Sequence, residues 1–191
     1  MPKNYSPGNP PGVLVYVSPS GYGGPPLDFN EVIEKRNLIW VGARDAGNNA
    51  IGSQRMLKAM LAVPMISRMY PVNVFRTYVA GFSGGSKTAM LLSMASPETF
   101  KGGIYFAGAV SVKERNPPKL EQVKENRHVF VVGQYDEAIR ETLKYYKEFK
   151  KAGMEHSEMI TVPNLRHTLP TPSYFQDAID YLEEPLKSEE G

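Results

Sequence analysis

The stretch GFSGGSKTAM at residues 81–90 fits two motifs that belong to different folds. From Gly81 to Gly85 it reads G-x-S-x-G, the sharp turn between a strand and a helix that exposes a nucleophilic serine. From Gly81 to Thr88 it approaches G-x-x-x-x-G-K-S/T, a loop that wraps phosphate groups with backbone N–H groups. The two interpretations differ at Ser86, which stands where the phosphate-binding loop has its second glycine.

The composition is that of one ordinary domain spanning residues 1–191, with a linker-like segment at residues 1–12. The absence of cysteine excludes disulfides, thiolate metal sites and a cysteine nucleophile. The net charge of +2 is spread along the chain, so we expect neither nucleic acid nor a membrane as a partner. No apolar run reaches the roughly 18 residues of a membrane span. Because no signal peptide is present, we expect a cytoplasmic protein, or a secreted one if a leader has been removed.

Six short apolar runs, rich in β-branched and aromatic residues, predict the strands of a sheet. Because these runs lack polar alternation, we expect them to be buried on both faces of a mostly parallel sheet. Strands that alternate with helical patterns predict an α/β fold of three layers, with helices on both faces and ligand sites at the carboxyl ends of the strands. The runs are residues 13–17, 38–41, 77–81, 103–108, 128–132 and 158–162.

Three helices are predicted from the spacing of apolar residues, at residues 51–70, 137–152 and 173–183. The second closes with Gly153 as its C-terminal cap, and the third begins with Pro172 in its first turn. Pro64 is expected to kink or interrupt the first. The methionines of that helix are expected to fill the core rather than to bind a ligand: Met56, Met60, Met65 and Met69.

The phosphate-binding interpretation of residues 81–90 makes two demands that the chain meets poorly. Ser86 would put a side chain where the loop must approach a phosphate closely. A nucleotide site also needs an apolar strand that ends in a magnesium-binding aspartate. The nearest match, VFVVGQYD, reaches Asp136 only four residues after its last valine. A nucleotide-binding protein therefore stays open only as the weaker hypothesis.

The serine-turn interpretation requires an acid and then a histidine, each placed after a later strand. Asp136 follows the strand at 128–132, and His167 follows the strand at 158–162. The chain has only three histidines, and we interpret the other two, His128 and His156, as structural or solvated. The glycines around Ser83 supply the space that a strained turn needs: Gly81, Gly84 and Gly85.

The chain resembles the α/β-hydrolases through four stretches, VYVSPSGYGG, YVAGFSGGSKTAM, VVGQYDEA and LRHTLP. It is most similar to compact esterases of the polyhydroxyalkanoate depolymerase-like and feruloyl esterase-like kinds. The resemblance implies that Ser83 attacks an ester carbonyl, that His167 takes the serine proton and that Asp136 orients the imidazole. Glu137 is the rival acid, although an acid in the first turn of a helix also favours the helix dipole.

The resemblance also implies two backbone donors for the oxyanion, the N–H of Gly84 and an N–H of the loop SGYGG at residues 20–24. Aligning the glycines puts Tyr22 at the donor position and Ser20 where the family has a histidine. The candidates for lining the substrate site are weaker, and they are Gly21, Arg44 and Asp45. For Arg44 and Asp45, a turn or an ion pair within the loop is the alternative interpretation.

The chain departs from the family pattern in two further places, the edge of the sheet and the segment that would cover the site. The twelve residues before Val13 cannot supply the two antiparallel strands usual in the family, so we expect a minimal or N-terminally shortened variant, whose exposed sheet edge would favour a homodimer. Only residues 109–127 separate two strands where many lipases have a lid, with a helix expected near 120–126 after a proline loop.

We therefore expect an uncovered site for small soluble esters or polymer ends, with no metal and no cofactor. A hydrolase-fold binding protein with weak or no catalysis is the alternative.

Overall fold

The computed structural model describes residues 2–3, 5–115 and 117–184. All six predicted strands are confirmed, with boundaries shifted by at most two residues. They are β1 Gly12–Val17, β2 Leu38–Gly42, β3 Thr77–Phe82, β4 Gly102–Phe106, β5 Arg127–Gly133 and β6 Ser157–Val162. Every pair of neighbours is parallel, and the strand order is β2-β1-β3-β4-β5-β6.

The helices of the described residues cover both faces of this sheet. They are α1 Asn30–Lys35, α2 Gly52–Met69, α3 Gly84–Ala95, α4 Val112–Arg115, α5 Leu120–Glu125, α6 Ile139–Lys151 and α7 Pro172–Glu183. Helices α2, α3, α5 and α6 share one hydrophobic cluster, while α1 and α7 share the other. The arrangement is the predicted three-layer α/β architecture.

Strand β1 shows why the predicted strands carry no polar alternation. Val13, Val15 and Val17 enter the cluster beneath α2 and α3, whereas Leu14 and Tyr16 enter the cluster beneath α1 and α7. Side chains alternate across a strand, so a central strand of a covered sheet needs apolar residues at every position.

The predicted interruption at Pro64 does not occur, since α2 continues from Gly52 to Met69 through the proline. Proline costs this helix one hydrogen bond and some strain. The inner face of α2 is packed on the sheet by Ala59, Ala62 and Val63. Tertiary packing of this kind supplies most of a helix's stability and outweighs the local loss.

The methionine prediction holds for only half of the set. Met56 and Met60 pack against the core, but Met65 and Met69 are 61% and 66% exposed. Small residues already fill the inner face of α2, so the later methionines lie on its outer face. They line a groove beside β2, which has no further strand on its outer side among the described residues.

The segment between β4 and β5 packs against the sheet instead of covering its carboxyl edge. Val110, Val112 and Val123 are buried in the cluster that α2 and α3 share. The predicted helix near residues 120–126 is confirmed as α5. Within the described residues, no helix is long and apolar enough to cross a membrane.

Candidate active site

Ser83 sits in a strained turn between β3 and α3. Its backbone has φ 54° and ψ −120°, and its N–H donates to the carbonyl of Phe106 at 2.8 Å. A non-glycine residue with positive φ is unusual and persists only where the surroundings impose it. The turn therefore presents the Ser83 side chain at the carboxyl edge of the sheet.

Two glycines provide the space for this turn. A Cβ atom on Gly81 would collide with the backbone of Gly85. A Cβ atom on Gly85 would in turn collide with the carbonyl group of Val17 in β1. The first turn of α3 thus packs directly on the backbone of two strands, which only glycine permits.

The same geometry leaves no room for a phosphate-wrapping loop. Strand β3 ends at Phe82 and α3 starts at Gly84, so a single residue joins them. The buried Ser86 side chain donates to the carbonyl of Gly108 at 2.6 Å and holds α3 against the segment after β4. The nucleotide-binding interpretation consequently lacks the structural element that it requires.

The structure brings Ser83, His167 and Asp136 into one hydrogen-bonded chain. The Ser83 Oγ lies 3.0 Å from His167 Nε2. His167 Nδ1 lies 2.9 Å and 3.1 Å from the two carboxylate oxygens of Asp136. Because a carboxylate only accepts, Nδ1 carries the proton and Nε2 is free to accept from the serine hydroxyl.

Asp136 is fixed by the turn that follows β5. Its side chain has no exposed surface, and its Oδ1 also accepts the N–H of Ala138 at 2.7 Å. The neighbouring Glu137 is exposed and makes no hydrogen bond to His167. Of the two acids that the sequence offers, Asp136 is the one that meets the imidazole.

His167 lies in the loop after β6, with its side chain 34% exposed. The ring of Phe82 packs against its imidazole at a centroid distance of 5.0 Å. The loop is bonded to the segment after β5, where the Tyr135 N–H donates to the carbonyl of Leu165 at 2.9 Å. The imidazole is thus held between a hydrogen bond and a ring, while one face stays open to solvent.

The two predicted oxyanion donors differ in their surroundings. The Gly84 N–H is the first amide of α3, where backbone donors have no partner within the helix. The Tyr22 N–H is directed at the hydroxyl of Ser20 at 3.4 Å, and that hydroxyl also bonds Ser18 at 2.9 Å. Ser20, the residue that replaces the family's histidine, therefore engages the predicted loop donor.

Substrate-lining candidates lie together but apart from the serine. Gly21, Tyr22, Arg44 and Asp45 line a cavity of about 590 Å³, which Ser83 does not reach. No ion pair joins Arg44 to Asp45 among the described side chains, and Asp45 forms a turn with φ 55°.

A smaller depression of about 380 Å³ lies over Ser83 and has a polar lining that the sequence analysis did not identify. Lys87 and Glu141 form an ion pair there at 2.6 Å. Lys87 lies one helical turn after Ser83 in α3, so its spacing from the serine was the feature of the sequence that could have placed it at the site. Glu141 belongs to α6, and no pattern in the sequence around it indicates that it lies near Ser83. The remaining lining residues are Ala107, Glu137, Ala138 and His167.

His128 takes no part in the site. It is fully buried, and burial lowers the pKa of its imidazole from 6.5 to about 4. Its Nδ1 lies 2.8 Å from the Tyr105 hydroxyl, and its Nε2 donates to the carbonyl of Val123 at 3.2 Å. This neutral histidine is structural, as the sequence predicts.

No protein-family model and no curated protein matches the chain by sequence. Solved structures do match its fold. A feruloyl esterase module from Clostridium thermocellum, solved with sinapinate, superposes with a TM-score of 0.71 at 13% identity over 100% of this chain and 84% of that one. The chain has the α/β-hydrolase fold.

Two other solved structures share the α/β-hydrolase fold with this chain. The fluorophosphonate-binding serine hydrolase FphF of Staphylococcus aureus has a TM-score of 0.69 at 11% identity, covering 97% of this chain and 91% of that one. Est1E from Butyrivibrio proteoclasticus has a TM-score of 0.64 at 15% identity, covering 94% and 88%. The family resemblance noted in the sequence is thereby confirmed at the level of the fold.

Proposed function

We propose that the chain is a serine hydrolase that cleaves carboxylic esters. The observation that carries the proposal is the hydrogen-bonded chain from Ser83 Oγ through His167 to the buried carboxylate of Asp136, at 3.0 Å and 2.9 Å. The fold neighbours described as esterases and serine hydrolases support it.

The reaction proceeds through an acyl-enzyme. Ser83 Oγ attacks the ester carbonyl while its proton passes to His167 Nε2, and Asp136 stabilises the imidazolium that forms. The tetrahedral intermediate collapses, and the alkoxide leaves with the proton from His167. A water molecule, deprotonated by His167, then attacks the acyl carbon, which releases the acid and restores the serine.

We propose small soluble esters, or the ends of ester polymers, as substrates. The depression over Ser83 is small, at about 380 Å³, and the segment between β4 and β5 packs on the sheet instead of forming a lid. An exposed site of this kind offers little apolar surface to a long acyl chain.

Hydrolysis of p-nitrophenyl acetate and butyrate by the wild type, Ser83→Ala and His167→Ala proteins tests the proposal. We expect activity in the wild type and its loss in both variants, together with fluorophosphonate labelling that requires Ser83. Equal, feeble rates in all three proteins, with no labelling, would instead indicate a hydrolase-fold binding protein.

A further inference from the structure

The side chain of Asn48 lies against the residue that follows the nucleophile. A Cβ atom on Gly84 would collide with the Asn48 carboxamide oxygen, and the amide nitrogen Nδ2 would lie 3.0 Å away. The three atoms nearest to that position all belong to the Asn48 side chain. The absence of a side chain at position 84 thus makes room for the Asn48 amide against Gly84, the residue after Ser83.

The backbone around Asn48 is bonded to the segment after β1 at residues 19–24, which we call the glycine loop. The Asn48 N–H donates to the carbonyl of Pro19 at 2.8 Å, and the Asp45 N–H donates to the carbonyl of Gly21 at 2.9 Å. The buried Arg55 side chain, from α2, donates to the carbonyl of Ala46 at 2.7 Å. Asn48 therefore spans the gap between the glycine loop and the Ser83 turn, on a backbone held at three points.

The amide group of Asn48 remains available to a ligand. Asn48 is exposed, and its side chain makes no hydrogen bond within the part of the chain that the structure describes. Rotation of the amide by 180° exchanges its oxygen and nitrogen without changing its shape. An anionic oxygen placed beside this amide would favour the orientation that points the Nδ2 hydrogens towards it.

We propose that the Asn48 side-chain amide donates a hydrogen bond to the oxyanion that forms at Ser83, beside the Gly84 N–H. The predicted loop donor, the Tyr22 N–H, is directed at the Ser20 hydroxyl at 3.4 Å, whereas the Asn48 amide has no hydrogen-bond partner among the described residues. Side-chain amides supply such donors in other hydrolytic enzymes. The inference rests on the proposed function, because an oxyanion forms only if Ser83 attacks a carbonyl.

Two substitutions at position 48 test the donor role. Asn48→Ala removes the amide, whereas Asn48→Asp keeps its shape and replaces the donor with a carboxylate that repels the oxyanion. We expect each to lower kcat for p-nitrophenyl butyrate on the order of 10²-fold, with little change in KM, because the bond strengthens in the transition state. Asn49→Ala, at the neighbouring exposed asparagine, is the matched control and should keep wild-type kcat.

The outcomes separate this inference from the proposed function. Wild-type kcat in Asn48→Asp, with activity abolished in Ser83→Ala, would overturn the donor role alone. Activity that does not depend on Ser83 would overturn both. Loss of kcat in Asn48→Ala but not in Asn48→Asp would mean that the side chain acts by packing, which also contradicts the proposal. Thermal unfolding of each variant checks that the protein remains folded.

A double-mutant cycle gives an independent test. Gly84→Ala would displace the Asn48 amide and should lower kcat in the wild type. In the Asn48→Ala background the same substitution should change kcat by less than about twofold, because the displaced group is already absent. Additive losses would show that position 84 acts independently of Asn48 and would contradict the proposed arrangement.

Discussion

Asp136 and Glu137 are adjacent acids with different surroundings, and this difference leads to a matched pair of substitutions. Asp136→Asn preserves an oxygen for the Ala138 N–H but presents the wrong partner to His167 Nδ1. We expect kcat to fall by about 10⁴-fold, as is typical when the orienting acid is lost. Glu137→Gln should leave kcat nearly unchanged, because Glu137 makes no bond to His167.

Steady-state kinetics on a p-nitrophenyl ester distinguishes these two variants, and circular dichroism confirms that both are folded. If Glu137→Gln lost more activity than Asp136→Asn, the acid of the site would have been wrongly assigned.

Single residues of the site differ in how far the sequence reveals them. Ser83, Asp136 and His167 each lie after the carboxyl end of a strand, so the sequence predicts that they share one edge of a parallel sheet. Asn48 also follows a strand, but its contact with Gly84 depends on how two loops pack. That packing involves backbone approaches far apart in sequence, which residue patterns do not encode.

At the scale of elements, one buried polar network joins α3, β4, α5 and β5. The Ser93 hydroxyl bonds the Tyr105 hydroxyl at 2.6 Å, which bonds His128 at 2.8 Å. Because the Val123 carbonyl accepts from Nε2, a neutral imidazole has Nδ1 free to accept from the Tyr105 hydroxyl. Burial of the ring away from solvent disfavours the charged imidazolium and lowers the pKa of His128.

Because His128 is buried in this network, we expect the free energy of unfolding to fall in mild acid. Burial lowers the pKa of folded His128 to about 4, while the unfolded chain binds the proton near pH 6.5. The contribution of His128 to the free energy of unfolding is therefore fully present above pH 6.5. It is lost as the pH falls towards 4, and the loss is about 3 kcal/mol in total. Urea unfolding at pH 7 and pH 5 should show a loss of about 2 kcal/mol from this residue.

His128→Leu provides the comparison, because it removes the titration and keeps an apolar side chain. The variant starts less stable at pH 7 but should lose about 2 kcal/mol less than the wild type between pH 7 and pH 5. Parallel pH curves for the two proteins would mean that His128 is protonated without cost in the folded state.

Elements differ in predictability according to what surrounds them. The six strands were predictable because burial on both faces leaves an uninterrupted apolar run. In α7 the apolar stripe of Phe175, Ala178, Ile179 and Leu182 was also predictable, since all four are buried as its spacing requires. The predicted burial of Met65 and Met69 was wrong because α2 is apolar on two faces, and its sequence alone does not indicate which face meets the sheet.

At the scale of the whole molecule, α7 and α1 together cover one face of the sheet. The Phe175 ring stacks on Phe29 at 4.2 Å and lies 6.3 Å from Phe106, so it joins the start, middle and end of the chain. Phe175→Ala should lower the free energy of unfolding by about 3–5 kcal/mol, the usual cost of removing a buried phenylalanine.

Urea unfolding measures this loss, and Asp177→Ala on the exposed face of α7 is the control, with a change expected within about 0.5 kcal/mol. A loss below about 1 kcal/mol in Phe175→Ala would show that this face of the sheet can repack without its central ring.

Trp40 is the only tryptophan of the chain, and its indole N–H donates to the carbonyl of Gly23 at 2.7 Å. It also lines the cavity of about 590 Å³ beside the glycine loop, with the Tyr16 ring 4.6 Å away. Its fluorescence therefore comes from a single, known position beside the loop at residues 20–24. A compound that enters this cavity, or a change in the glycine loop, should alter the emission spectrum directly, so binding can be followed without a label and without turnover.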